Sequence, residues 1–217
     1  YSSLKNARIV ISKCSEGGNQ EGNYKTKGIG EVMAAINSAL IADAFGDAPF
    51  SQAALPELAN GQPAYMNPEL DAQQDIYTSI MKYLDDAIVD LPKGDTHATG
   101  TVGSYDFIYG GDAAKWLKLA YGLKARYTMH LMARSSDVAG DMAKVIEYVD
   151  KSFTSAADQA AYDHYDANNL NPLFDFEWSR DGISASKSMY DKLIARNDPR
   201  ANRVYFGSSS WSHYNPG

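Results

Sequence analysis

Imidazole is the commonest protein metal ligand and the side chain whose charge changes near neutral pH, so the four histidines are the first test for chemistry. His97, His130, His164 and His213 are scattered. None belongs to a His-Glu-x-x-His pattern, and no cysteine or carboxylate cluster has zinc-ligand spacing, so no metal centre is expected. Gly28-Ile29-Gly30 is half of a dinucleotide fingerprint. No strand precedes it and the third glycine is missing, so it reads as a helix start. The chain has neither a phosphate-binding loop nor a Gly-x-Ser-x-Gly elbow, and no cofactor is expected.

Paired carboxylates can hydrolyse glycosidic bonds. The candidates are Asp85–Asp86, Asp163–Asp166 and Asp175–Glu177. Adjacent residues on a helix point apart, so Asp85–Asp86 reads as a solvated face. The other two pairs fall in an irregular stretch. No catalytic residue is assigned, and the protein is read as a non-enzyme.

The chemistry that remains is aromatic. Tyr 15, Trp 3 and Phe 7 make 12% of the chain, a level that serves either a Tyr-rich core or a glycan- or peptide-contacting surface. Trp178, Tyr205, Trp211 and Tyr214 fall in stretches read as loops rather than on helix stripes. Loop rings are where a flat sugar face can stack, with Asn168, Asn169, Asp175, Arg180 and Arg203 near in sequence to bond hydroxyls. These four rings are the candidate ligand-binding residues. The competing reading is that they pin long loops onto helices.

The elements that must position them are helical. Residues 109–131 open with Gly110-Gly111-Asp112, in which Asp112 can cap a helix. Trp116, Ala120, Leu123, Tyr127 and Leu131 follow at helical period, and Leu117, Leu119 and Tyr121 widen the apolar surface. Such breadth predicts a central helix packed on more than one side. Residues 4–11 read as a helix tail, and 15–30 as a loop. Residues 29–45 read as a helix with Ile29, Met33, Ile36, Leu40 and Ala44 inward, stopped by Gly46 and Pro49. Prolines 56, 63 and 68 make 51–70 an extended connection. Residues 71–91 repeat Ile76, Tyr77, Ile80, Leu84, Ala87, Ile88 and Leu91 at three and four. A further helix over 142–153 places Val145, Ile146, Val149 and Phe153 inward. Residues 154–181 read as irregular, 184–196 as a last helix, and 205–217 as loop. The fold class is therefore all-α. Trp116-x-x-Leu119-Ala120-x-x-Leu123 matches half of the tetratricopeptide pattern, and irregular helix spacing predicts degenerate, inserted antiparallel pairs with long aromatic loops.

Composition sets limits on partners. The chain has 217 residues, 44% hydrophobic, enough for one sizeable core. A net charge of −7 is the wrong sign for a phosphate backbone, so nucleic acid is set aside. No run approaches the roughly 18 consecutive apolar residues of a membrane span. Cys14 is the single cysteine; Lys13 before it does not suit a lipobox, and it reads as a helix-end or core residue.

Several stretches in order resemble one family. Phe45-Gly46-Asp47-Ala48-Pro49-Phe50 follows a helix, Asp75-Ile76-Tyr77 opens the next, and Tyr109-x-Gly111-Asp112-x-x-Lys115-Trp116 precedes Leu123-Lys124-x-Arg126. Asn171-Pro172 and Asn197-Asp198-Pro199-Arg200 come after them. Together these resemble the SusD/RagB-like outer-membrane lipoproteins of Bacteroidetes, over about residues 29–203. Tyr121 departs from the pattern, which often has Asn there. The resemblance implies a surface protein without catalytic duty that captures oligosaccharides, or sometimes peptides, and hands them to a SusC-like TonB-dependent transporter barrel. It implies residence on the extracellular face of the outer membrane, through a lipid anchor outside this segment. Members are considerably longer, so the expectation is one partial SusD-like domain over 1–217, with a helical core at about 29–153 and a loop-rich part at about 154–217. Two other readings stay open: a tetratricopeptide-like adaptor binding a protein segment, and an α-helical glycosidase.

Overall fold

The computed structural model describes residues 1–58, 60–164, 169–180 and 186–201. The chain divides into two compact units, Tyr1–Tyr162 and Asp163–Gly217. It is mostly helical, in a tetratricopeptide-like arrangement, and among the described residues its sheet is a single two-stranded pair.

The first unit holds α1 (Ser2–Cys14), α2 (Tyr24–Phe45), β1 (Ala48–Pro49), β2 (Leu70–Asp71), α3 (Gln73–Asp90), α4 (Ala113–His130) and α5 (Val138–Asp150). Each helix packs on the next in sequence, the arrangement of a repeat array. Leu4, Val32, Ile76, Ile80, Leu84, Leu91 and Trp116 are almost wholly buried in one core. α4 lies between α3 and α5, as its wide apolar surface predicts, and Trp116 meets Tyr109 edge-on at 5.4 Å. Asp112 caps it by accepting from Ala114 N and Lys115 N. Cys14 is the last residue of α1 and is buried.

α2 differs from its sequence reading twice. It begins at Tyr24, before the expected loop has ended, and so Gly28 and Gly30 are interior residues rather than a helix start. A Cβ on Gly28 would stand 2.7 Å from Leu91 Cγ, and one on Gly30 3.2 Å from Val10 Cγ1. These glycines are there for close packing, which the sequence cannot distinguish from a loop. The buried face is also rotated. Val32, Ala35, Ala39 and Ala42 are inside, Met33 and Ile36 are half-buried, and Leu40 and Ala44 face solvent. Small residues let α1 and α3 approach, so the larger ones turn outward. By length and composition α2 could cross a membrane, but 61% of its apolar window is buried inside this fold.

α5 starts at Val138 under an Asp137 cap, four residues earlier than read. Val145 is buried, but Ile146, Val149 and Phe153 remain largely exposed instead of inward. The apolar stripe is real; α4 covers only the flank carrying Val145.

The second unit, described over 163–164, 169–180 and 186–201, contains α6 (Pro172–Arg180) and α7 (Lys187–Ala195). The expectation of irregular chain through 154–181 is corrected by α6. Asn171 Oδ1 accepts from Leu173 N at 2.9 Å, so Asn171-Pro172 is a cap followed by proline in the first turn. α7 ends at Ala195 with Arg196 as its C-cap; Asn197 follows with a left-handed φ of 49°, and Asp198 N bonds Leu193 O at 2.9 Å.

Candidate functional site

Of the four sequence-predicted rings, Trp178 is the one among the described residues. Trp178 lies on α6 rather than in a loop; it is 65% exposed and stacks on Phe174 with centroids 6.0 Å apart. Tyr205, Trp211 and Tyr214 lie outside the described residues, as do Asn168, Arg203, Asp166 and His213. Asp175 and Arg180 sit in the first and last turns of α6, and Asn169 Nδ2 bonds Asp163 O at 2.8 Å. Asp85 accepts from Lys124, and Asp86 pairs with Lys82 at 2.7 Å, so these neighbours diverge. Among the described residues no three His, Cys, Asp or Glu side chains are grouped to hold a metal.

The structure instead opens a pocket of about 680 Å³ in the first unit, between the start of α1 and the chain from Phe45 to Pro68. That is an ordinary size for a small-molecule site. Its formation begins at the Phe45-Gly46-Asp47-Ala48-Pro49-Phe50 turn. Gly46, at φ 72°, ends α2 in a conformation that disfavours a side chain. Asp47 then accepts from Gln73 N at 2.9 Å, capping α3 from outside. Gln73 Nε2 returns to Ala42 O at 2.8 Å. Ala48–Pro49 pairs antiparallel with Leu70–Asp71, closing the neck of a long loop. Asp71 accepts from Phe50 N at 3.0 Å and Ser51 N at 2.8 Å. Burial alone would raise the Asp71 pKa, but these donors and the nearby Arg8 charge hold it below its ordinary value.

Arg8 anchors the loop from beneath. It is buried on α1, donates to Phe50 O at 2.9 Å and to Ala53 O, and reaches Tyr83 Oη at 3.0 Å. Its guanidinium also lies 4.5 Å from the Phe50 ring centroid. A buried cation is tolerable where oxygens and a ring face replace its water. The loop is further stitched by Leu58 N to Gln62 O at 2.9 Å and Glu69 N to Gln52 Oε1 at 3.1 Å. Ala54, in the wall, holds φ 52°, a left-handed conformation costing an L-residue about 1–2 kcal/mol. Strain of this kind is held by its surroundings and concentrates at ligand clamps.

The result is a shaped, mainly apolar surface. Tyr1, Phe45 and Tyr65 line it with well-exposed rings, and Ala48, Pro49, Ala64 and Pro68 form much of the wall. Its charges are engaged: Lys5 pairs with Glu57 at 2.6 Å, and Asp47 caps α3. The lining offers flat faces and shape, with no described nucleophile and base in contact. Sequence reasoning missed this site because 51–70 read as a plain connection. The available signal was length: about twenty residues is long for a structureless link, and such loops are usually functional.

Comparison with known proteins gives these features a common frame. The SusD-like family model, described as starch-binding associating with outer membrane, matches residues 1–215. A SusD/RagB family protein from Bacteroides thetaiotaomicron is 59% identical, with a TM-score of 0.83 over 94% of this chain and 40% of that chain. A chitin-binding protein is 26% identical, with a TM-score of 0.68 over 92% of this chain and 40% of that one. A chitin-binding SusD homolog from Flavobacterium johnsoniae shares the fold at 20% identity, with a TM-score of 0.69 over 96% of this chain and 41% of that one. The chain thus spans about two fifths of the length of these structures. No curated protein matches it. With its family match running through the α2 turn, the Trp116 helix and both units, this chain belongs to the SusD/RagB-like family of Bacteroidetes.

Proposed function

We propose that this chain is the ligand-gathering part of a cell-surface glycan-binding protein, and that the pocket at 45–68 takes the sugar. The observation that carries the reading is the pocket itself: exposed rings of Tyr1, Phe45 and Tyr65 beside an apolar wall, on a loop fixed by Arg8 and Asp71. Sugars present one face of C–H groups that packs on such rings. The family description and the chitin-binding relatives support the same ligand class. Trp178, Tyr205, Trp211 and Tyr214 remain a second proposed contact set. The full protein would be lipid-anchored at the extracellular face of the outer membrane and would deliver oligosaccharides to a SusC-like TonB-dependent transporter without catalysis. Its extent is proposed as one partial helical SusD-like domain over 1–217, with a helical core at about 29–153.

Affinity electrophoresis and calorimetry against a polysaccharide and oligosaccharide panel test the reading. Tyr65→Ala is expected to weaken binding at least tenfold; the Trp178→Ala arm asks whether α6 contributes. Absence of binding across the panel would overturn the function, and undiminished binding by Tyr65→Ala would overturn the location.

A second reading, the adaptor, is favoured by the exposed stripe of Val138, Met142, Ile146 and Val149 along α5. It predicts that Ile146→Asp abolishes co-purification with the transporter while leaving glycan affinity unchanged.

A further inference from the structure

A second pocket in the first unit has no part in the reading above. It measures about 490 Å³, lies where the ends of α2 and α4 meet the start of α3, and shares no lining residue with the pocket at 45–68. Asp43, Gln74, Tyr77, His130, Leu131 and Arg134 line it. We propose that it is a proton-linked site for a single carboxylate, held by Arg134 and by Nε2 of His130.

The proton on His130 can be placed. Tyr77 has one hydroxyl hydrogen and donates it to Asp43. His130 Nδ1 lies 2.9 Å from Tyr77 Oη and 3.4 Å from Asp43 Oδ2. With the hydroxyl hydrogen spent, both neighbours of Nδ1 are acceptors, so Nδ1 carries the ring hydrogen. The neutral ring therefore keeps its lone pair on Nε2. That atom has no hydrogen-bond partner among the described residues, and the side chain is 32% exposed in the lining. Edge contacts with Tyr77 and Tyr127, at centroid distances of 6.4 and 5.6 Å, hold the ring in place. An imidazole fixed in this way takes up a proton only at Nε2, and uptake turns an acceptor into a donor.

Charge decides what fits. The titratable and charged groups around the ring are Asp43 from α2, Tyr77 from α3, Arg126 and Tyr127 from its own helix, and Arg134 from the turn that follows. Burial pushes the Tyr127 hydroxyl up to about 12, and burial with Asp43 raises that of Tyr77, so both stay neutral. Asp43 is occupied by the Tyr77 hydroxyl. Arg134 makes no side-chain hydrogen bond or ion pair with a described residue, so it brings an uncommitted charge to the lining. Its planar fork matches the two oxygens of a carboxylate. A phosphate dianion would set its second charge against Asp43. A bound carboxylate draws a solvent proton onto Nε2 and gains a second charge-assisted hydrogen bond. The net charge of −7 opposes an anion only weakly, because physiological salt screens charges beyond about 8 Å.

The test is calorimetry on the 217-residue chain with galacturonate, its methyl ester, acetyl-alanyl-alanine and the amide of that peptide. The two acids distinguish an acidic sugar from a peptide end as the source of the carboxylate, and binding of either supports the site. The masked forms are expected to bind at least tenfold more weakly than the acids, and Arg134→Gln to weaken the acids about tenfold. The bound state holds the extra proton more tightly, so acid affinity is expected to fall as pH rises from about 5.5 to about 8. Titrations in buffers of different ionisation heat should show the matching proton uptake. His130→Asn keeps a donor in the Nδ1 position and lacks Nε2, so it is expected to fold as the parent does and to lose the pH dependence. No binding of either acid, equal binding of acids and masked forms, or affinity unchanged by Arg134→Gln overturns the site. A parent without pH dependence, or a folded His130→Asn that retains it, also overturns the proposal, because Nε2 would then have no part in binding.

Discussion

Glu31 is a carboxyl in the wrong place for an ion. It is 2% exposed on α2, and its Oε2 has no hydrogen-bond partner among the described residues. Lys27 approaches Oε1 at 3.2 Å but is held more closely by Asp90 at 2.6 Å. Burial, only partly offset by Lys27 and reinforced by Asp90, pushes the Glu31 pKa from an ordinary 4.5 to about 7. A raised carboxyl pKa means that the folded state holds its proton more tightly than the unfolded chain. Stability therefore falls as pH rises through the window from 4.5 to 7 and levels off above it. At 1.36 kcal/mol per pH unit the full penalty is about 3 kcal/mol, of which about 2.5 kcal/mol develops between pH 5 and pH 8. Glu31→Gln keeps the shape and removes the titration. Urea unfolding of both proteins at the two pH values isolates the effect, because the pH-independent cost of the substitution cancels. The variant is expected to gain about 2.5 kcal/mol relative to the parent on going from pH 5 to pH 8. Parallel stability curves would refute the reasoning, as they would mean that Glu31 is solvated or fully paired.

The remaining predictions concern the supports of the core and loop. Asp106 accepts from Ile108 N, Tyr109 N, Gly111 N and Trp116 Nε1, the last at 2.6 Å. Asp106→Asn turns one acceptor oxygen into a donor facing donors, and is expected to cost about 2–4 kcal/mol in urea unfolding. Burial works to raise the Asp106 pKa, but the four donors hold it below normal, so the stability it adds is lost as pH falls below the ordinary carboxylate range. Gly28→Ala is expected to destabilise by about 1–2 kcal/mol, because overpacking against Leu91 exceeds the gain in helix propensity. Gly30→Ala, with its looser contact to Val10, should be near neutral; equal losses in the two variants would contradict the packing argument. Arg8→Met strands the Phe50 and Ala53 carbonyls, so it is expected to lower stability by about 2–4 kcal/mol and sugar affinity at least tenfold. Unchanged affinity in a folded Arg8→Met chain would show that the loop does not depend on this anchor.

The sequence made the helices legible where cap and stripe are local. Asp112 and the Trp116 stripe define α4 within their own residues, and the α3 repeat from Ile76 to Leu91 is likewise self-contained. Legibility failed where the deciding group comes from far along the chain. The start of α2 is capped by Asp95, which accepts from Thr26 N at 2.9 Å across about seventy residues, and Asn23 is locked to Thr99 O at 2.8 Å. Nothing near Tyr24 announces either contact. The rotated face of α2 and the open face of α5 failed for a related reason: periodicity tells which side is apolar, not which side a neighbour covers. The pocket combined both difficulties. Its rings lie just before α1, at the end of α2 and on a proline-rich loop, and its scaffold depends on Arg8 and Asp71 meeting across 42 and 21 residues at Phe50. The turn that builds it was visible as a family motif, whereas the site it encloses was not. α6 was missed although Asn171-Pro172 carries a cap signal, because the aromatic residues that follow are weak helix formers.

The most direct test is hydrogen exchange of the backbone amides, read by mass spectrometry with and without a saturating oligosaccharide. The account predicts that protection on binding concentrates in residues 45–69 and the first turn of α1. Protection confined to 172–180 or 202–217, with no change across 45–69, would contradict it.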